Sequence, residues 1–173
     1  FKISNTDTSG SLHDHLAVLT ASCLGDVIDT VPESLTAPIP QLEDAITYAA
    51  KITREDGMID WTRPAARLDY HIRAFTPYPG AWCNGPKGRI RILRARPISY
   101  SKSKLNIAIN LNAGKFLGRH DDGAMIIGCG DGGLAIDQLQ PAGKAAMMAV
   151  DFLNGASLTI GDYLDPNRKR NSP

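Results

Sequence analysis

The chain has 173 residues, of which 43% are hydrophobic and 21% charged, and its formal net charge is +1. These values allow a buried core, argue against global disorder, and fit one domain or one domain with part of another. No apolar run approaches a membrane span, and three widely spaced cysteines without a CxxC pair argue against a disulfide framework. We therefore expect no membrane partner and a reducing compartment.

The first part of the chain is predicted to be helical. Ser11 and Asp14 stand at capping-box spacing before a run of apolar residues at helical intervals, which predicts a helix ending near Thr30. Three prolines within 32–40 indicate a linker. A shorter helix is predicted over 41–52, with its apolar residues on one side.

A third helix is predicted before the pattern changes to that of strands. Thr62 is expected to cap it, and the helix would run through Ala74 and stop at the Pro-Gly cluster of 76–80. From Lys87 basic and apolar residues alternate. Leu93 breaks the phase of this alternation, which predicts a β-bulge.

The second part of the chain is predicted to consist of short strands. They are expected at 105–111, 115–117, 124–129 and 134–139, with a hairpin turn at 130–133 and a closing helix at 146–153. The predicted fold class is therefore α+β and mainly β: a small antiparallel barrel preceded by linker helices.

Two motifs that could suggest chemistry are explained more simply. The sequence GCGDGG at 128–133 satisfies GxGxxG, but a strand follows it instead of the helix that a dinucleotide site requires. The four histidines, His13, His15, His71 and His120, have no second ligand at metal spacing. We expect no metal and no assembled catalytic site in this chain.

The distribution of charge is the feature that points to a partner. Residues 70–120 contain ten Lys and Arg and no Asp or Glu, whereas both flanks carry more acids than bases. Ordinary surfaces mix the two signs, so the pattern predicts contact with a polyanion, although a solvated strand face is the alternative. The predicted phosphate-binding residues of this segment are Lys87, Arg89, Arg91, Arg94, Arg96, Lys102 and Lys104.

The segment 46–82 resembles methionyl-tRNA formyltransferase. The matching elements are TYA at 47–49, KI at 51–52, DG at 56–57, IDW at 59–61, IRAF at 72–75 and PYPGA at 77–81. Further agreement is found in DTSGSLHD at 7–14, CGDG at 129–132, LQPAGK at 139–144 and AVDFLNG at 149–155. Residues 98–113 match no motif of the family, so the role of this stretch is not assigned.

The resemblance covers only the C-terminal part of that family. It implies that residues 1–35 finish the catalytic domain, 36–59 form a linker, 60–165 form an OB-like tRNA-binding domain, and 166–173 are a basic tail. The folate site and catalytic residues would lie before Phe1. The family moves a formyl group from 10-formyltetrahydrofolate to the amino group of methionyl initiator tRNA.

The resemblance also implies a setting and further contacts. The protein would act as a monomer with initiator methionyl-tRNA as its partner, in the cytoplasm of a bacterium or the mitochondrial matrix of a eukaryote. Additional tRNA contacts would come from Lys51, Arg54, Lys144 and Asn154. Four aromatic residues are expected to pack the linker against the barrel: Trp61, Phe75, Tyr78 and Trp82.

Two alternatives stay open at this point. The chain could be the C-terminal domain of a related folate-dependent formyltransferase that acts on a sugar nucleotide or on folate, which would not need tRNA. It could instead be a non-enzymatic OB-type module that binds nucleic acid.

Overall fold

The computed structural model describes residues 1–34, 39–98 and 113–165. The helices are α1 (Ser9–Ser34), α2 (Ala65–Phe75) and α3 (Ala149–Gly155), with single 3₁₀ turns at Glu43–Ala45 and Glu55–Gly57. The strands are β1 (Ala81–Gly85), β2 (Gly88–Ile98), β3 (Phe116–Arg119), β4 (Met125–Gly128), β5 (Gly133–Pro141) and β6 (Met147–Met148). The prediction of a mainly β, antiparallel fold accompanied by helices is confirmed.

The strands form one antiparallel sheet in the order β1-β2-β5-β4-β3, with β6 also paired to β5. The register of β2 against β5 shifts between Ile92 and Arg94, which confirms the predicted bulge at Leu93. The β4–β5 hairpin is confirmed as well, whereas β1 and β6 were not predicted from the sequence. The predicted strand 105–111 lies outside the described residues, so closure of the sheet into a barrel stays a prediction.

The cap of helix α1 is Thr8, three residues before the predicted cap Ser11. Thr8 Oγ1 accepts the backbone N–H of Ser11 at 3.1 Å, and Ser11 Oγ accepts that of Thr8 at 2.9 Å, so these two residues form the reciprocal capping pair. The helix is attached by its first turn, where Gly10 N donates to Thr76 O at 3.1 Å. Its apolar residues Leu16 and Val27 are about half exposed, at 48% and 54%.

Two other helix predictions were wrong. Between 41 and 52 the structure has only the 3₁₀ turn Glu43–Ala45, and the apolar side chains Leu42 and Ile46 stay 80% and 43% exposed. A short segment without a packing partner gains too little to offset helix nucleation. Thr62 does not cap α2, because Pro64 occupies the N-cap and the Thr62 hydroxyl bonds Asp60 Oδ1 at 2.6 Å.

The hydrophobic core lies between α2 and the sheet. Its largest fully buried side chains are Trp61, Leu68, Ile72, Ile92, Met125, Ile127, Leu134, Ile136, Leu139 and Leu164. Cys83 and Cys129 are buried within it, as expected of free cysteines, and burial raises the pKa of each thiol to about 12. Cys23, by contrast, is exposed on α1.

Gly130 is the closest backbone approach in this core. A Cβ built there would overlap the carbonyl oxygen of Thr62, and Gly130 N donates to Arg63 O at 3.1 Å. The Gly130→Ala variant should therefore lose about 1–3 kcal/mol of unfolding free energy, because backbone must move to admit the methyl group. Chemical denaturation followed by circular dichroism measures this loss. Gly25→Ala, where a Cβ meets nothing within 4 Å, is the matched control and should not destabilise.

His71 on α2 should make the fold sensitive to mild acid. Burial lowers the pKa of His71 below its usual value of 6.5, although a hydrogen bond with the Gly57 backbone opposes this shift. The centroid of the His71 ring lies 4.6 Å from that of Phe75. The unfolded chain therefore takes up the proton first as the pH falls, so stability present above about pH 6.5 is lost below it. In urea titrations between about pH 7.5 and 5.5, His71→Gln should flatten this dependence. The exposed His13→Gln control should leave it unchanged.

Candidate nucleic-acid interface

The β1–β2 hairpin presents cations on its outer side because its inner side is core. Ile90 and Ile92 are 3% and 0% exposed, so the pleat turns Arg89 and Arg91 to the opposite face, as predicted. Lys87 was predicted to belong to the strand, but β2 begins one residue later, at Gly88. Lys87 is exposed in the two-residue turn between β1 and β2, at the tip of the hairpin.

Trp82 joins the linker to this outer face. It pairs with Arg91 in the β1–β2 register, and the Arg89 guanidinium lies 3.8 Å from the centroid of its ring. Its indole Nε1–H donates to Arg54 O at 2.8 Å, and Ile59 N donates to Trp82 O at 2.8 Å. The linker backbone is thereby held against β1 at Arg54 and Ile59, and Lys51 lies three residues before Arg54 in the sequence.

The β5–β6 turn borders the same strand on its other side. Ala142 N donates to Arg89 O at 2.9 Å, and the turn is closed by Gln140 Nε2 donating to Lys144 O at 2.9 Å. Lys144 is exposed there. We use the name basic face for five exposed cations of the linker, the β1–β2 turn, β2 and the β5–β6 turn: Lys51, Arg54, Lys87, Arg89 and Lys144.

Two acids beside the linker and β1, Asp56 and Asp165, accept hydrogen bonds from polar neighbours. Asp56 accepts the Thr53 backbone N–H at 2.8 Å and the Thr53 hydroxyl at 2.9 Å, and the backbone bond is the main reason that its pKa is lowered. Asp165 accepts Asn84 Nδ2–H at 3.5 Å. Within the described residues, no carboxylate forms an ion pair with a side chain of the basic face.

Arg91 is bound into the fold. Its Nη2 donates to Pro77 O at 2.7 Å and its Nη1 to Gln140 Oε1 at 3.4 Å. The guanidinium also lies so close to Gly80 that a side chain at that position would overlap it, and Gly80 has a positive φ of 93°. Arg91 therefore clamps the 77–80 turn against the sheet, with few donors left for a ligand.

The two arginines beyond the bulge face carboxylates from other strands and turns. Arg96 forms ion pairs with Asp137 on β5 and with Asp122, and Arg94 Nε lies 3.8 Å from Asp137 Oδ2. Chiefly the hydrogen bond to Asp137 raises the pKa of Arg96. Acids and bases that are far apart in the sequence thus lie together in the fold, because the folded chain brings Asp122 and Asp137 next to the arginines of β2.

Three predicted residues are not joined to the basic face by these contacts. Lys102 and Lys104 lie outside the described residues. Asn154, at the end of α3, accepts Arg119 Nη2–H at 2.9 Å on the β3 side of the sheet.

The aromatic residues divide between core and surface. Trp61 is 1% exposed and Phe75 packs against the core, as expected of packing residues, but Tyr78 is 72% exposed. Trp82 packs as expected. It also contacts two predicted binding residues, Arg54 and Arg89, and these contacts were not predicted from the sequence. The signal was present in 81–85, where small buried residues alternate with Trp82 and Asn84.

Two other kinds of feature are absent from the described residues. Among the described residues, no group of three or more His, Cys, Asp or Glu is arranged to hold a metal ion. In that same part of the chain, no helix has the length and apolar character needed to cross a membrane. The fold and the basic face together define a small, mainly β domain that carries a cluster of cations at one end of its sheet.

Comparison with known proteins places this domain in a family. Residues 51–157 match the family described as "Formyl transferase, C-terminal domain". The matched range covers more than half of the chain and includes α2, all six strands and α3. The chain belongs to this family.

Two relatives of this chain are bacterial proteins named methionyl-tRNA formyltransferase. Methionyl-tRNA formyltransferase of Parvibaculum lavamentivorans is 40% identical over 164 residues, which cover 92% of this chain and 49% of that protein. The corresponding enzyme of Symbiobacterium thermophilum is 37% identical over 159 residues, covering 92% and 47%. The chain therefore spans about half the length of the curated relatives it matches.

A solved structure shares the fold at low sequence identity. HypX from Aquifex aeolicus superposes with a TM-score of 0.61 at 18% identity, and the match covers 88% of this chain and 27% of HypX. A second HypX structure, in complex with tetrahydrofolic acid, superposes with a TM-score of 0.54. This likeness shows the fold alone.

Arg91 should matter more to stability than its exposed neighbour on the hairpin. Arg91→Ala removes the donor to Pro77 O and the guanidinium that covers Gly80, so the unfolding free energy should fall by about 1–2 kcal/mol. Lys87→Ala, at the tip of the same hairpin, should change it by less than about 0.5 kcal/mol. Urea denaturation of both variants gives the comparison, and equal effects would contradict a clamping role for Arg91.

Proposed function

We propose that this chain is the C-terminal module of a methionyl-tRNA formyltransferase and that it binds the tRNA substrate. The observation that carries the proposal is the similarity over 92% of the chain to bacterial proteins of that name, at 37–40% identity. In the complete enzyme, a formyl group would pass from 10-formyltetrahydrofolate to the amino group of methionyl initiator tRNA. The donor and the catalytic residues would belong to a part of the enzyme outside this chain.

The geometry supports a binding role for the module. A tRNA is a polyanion, and the basic face offers lysine and arginine side chains that form no ion pair within the described residues. Such groups bind phosphates without reading base sequence, which suits the holding of a large folded RNA. We assign the main phosphate contacts to the basic face. Arg91, Arg94 and Arg96 would make smaller contributions, because Arg91 and Arg96 donate to protein groups and Arg94 lies beside the Asp137 carboxylate.

The proposed organisation follows the same logic. Residues 1–35 would complete the catalytic domain, 36–59 would be the linker, and 60–165 would be the tRNA-binding domain, followed by a basic tail at 166–173. The enzyme would work as a monomer, in the cytoplasm if it is bacterial. No residue of this chain is assigned a catalytic role.

Binding to initiator tRNA over a salt series tests the proposal. Lys87→Gln combined with Arg89→Gln should weaken binding, and it should reduce the slope of log K against log salt by about 0.7–0.9 for each lost phosphate contact. Fluorescence anisotropy with labelled tRNA measures both quantities. Arg63→Gln combined with Arg67→Gln removes the same charge at the start of α2, outside the basic face, and should leave the slope nearly unchanged.

An RNA of equal length that lacks the tRNA fold completes the experiment. Preference for the tRNA, with loss confined to the basic-face variant, is the expected result. Equal binding of the two RNAs would support only a general polyanion surface. Absence of binding at low salt would contradict the proposed role for this chain.

A further inference from the structure

We propose that Trp82 is a positioning residue for RNA binding: its indole, which is itself bonded to the Arg54 carbonyl of the linker, holds the Arg89 guanidinium in place for a phosphate. This inference deepens the proposed function and rests on it. It assigns a binding role to a residue that sequence analysis predicted only to pack.

The first step is that the indole is immobilised. Its Nε1–H donates to Arg54 O at 2.8 Å, and its own carbonyl accepts Ile59 N–H at 2.8 Å. The backbone at Gly57 leaves no room for a side chain, because a Cβ there would overlap Gly80 O and lie 3.3 Å from Trp82 Cδ1. The ring of Trp82, which extends from β1, is thus held against the linker at Gly57 and Arg54.

The second step concerns the cation stacked on that ring. The Arg89 guanidinium lies 3.8 Å from the ring centroid, a distance at which the indole face attracts a cation. Stacking occupies the face of the planar guanidinium and leaves its edge, which carries the N–H donors. Those edge donors match two oxygens of a phosphate. Arg89 is exposed, and within the described part of the chain its side chain forms no ion pair.

The third step is the contrast with neighbouring arginines. Arg91 donates to Pro77 O and Gln140, and Arg96 is paired with Asp137 and Asp122. These two are also held in place, but by groups that use their donors. Arg89 differs because it is held by an aromatic face, which restricts the side chain while its hydrogen-bonding capacity stays available. A pre-ordered side chain loses less conformational entropy when a ligand binds.

A double-mutant cycle on tRNA affinity tests the positioning role in the full chain. The variants are Trp82→Leu, Arg89→Ala and the combination of both. Loss of Arg89 should weaken binding about tenfold, as expected for a hydrogen bond to a charged group. Loss of Trp82 should weaken it about two- to fivefold, the range of an exposed cation–π contact. Because the indole acts through Arg89, the double variant should bind within about twofold of Arg89→Ala alone.

Trp82→Phe separates the aromatic contact with Arg89 from the hydrogen bond to Arg54 O. Phenylalanine keeps an aromatic face for Arg89 but cannot donate to Arg54 O, so this variant should bind more tightly than Trp82→Leu. Thermal unfolding of every variant checks that it is folded. A purely structural role for Trp82 would weaken binding equally with and without Arg89.

Each outcome decides between the claims. Coupled losses with an affinity order of wild type, then Phe, then Leu at position 82 support the positioning role. Additive losses overturn it while the tRNA-binding proposal stands. Failure of the wild-type chain to bind tRNA overturns both.

Discussion

The pairing of β2 on both of its edges is the constraint on which the rest of the structure depends. β1 pairs with the first half of β2, and β5 pairs with most of the length of β2. The pleat of β2 therefore cannot rotate without disrupting both neighbouring strands. Burial of Ile90 and Ile92 then determines that Arg89 and Arg91 face outward. A slip of one residue would place charge in the core and isoleucine in water. The location of the hairpin cations is therefore a consequence of core packing.

The bulge at Leu93 separates two electrostatic environments along this one strand. Before the bulge, Arg89 contacts the Trp82 indole, and Arg91 donates to the Pro77 carbonyl oxygen. Beyond it, Arg94 and Arg96 meet the carboxylates of Asp122 and Asp137. Ten bases without an acid in 70–120 suggested a continuous positive surface, yet antiparallel pairing mixes segments of different composition. The cations that have no carboxylate partner among the described residues therefore include those of the hairpin tip, the linker and the β5–β6 turn.

The sequence predicted those elements whose signals are local and strong. β2, its bulge and the β4–β5 hairpin follow from alternation and glycine placement, and the family resemblance rested on short motifs that survive in order. Helix limits were predicted less well, because Thr8–Ser11 and Ser11–Asp14 have the same capping spacing and only tertiary contact at Thr76 favours the first. The helix over 41–52 failed because its apolar side chains find no partner in the described structure. β1 is only five residues long and directly follows a Pro-Gly turn, so its alternation was overlooked.

Which cations are available to a partner could not be read from the sequence, because the deciding contacts are long in range. Asp137 lies 41 residues from Arg96, and Trp82 lies 28 residues from Arg54. The second contact has a mechanical consequence. Because the indole ties the Arg54 backbone to β1 and also contacts Arg89, the linker backbone at Arg54 and the Arg89 side chain keep a common point of attachment. A bound RNA would therefore meet both segments at once. Rearrangement of the linker would change the spacing of phosphate contacts without altering the sheet itself.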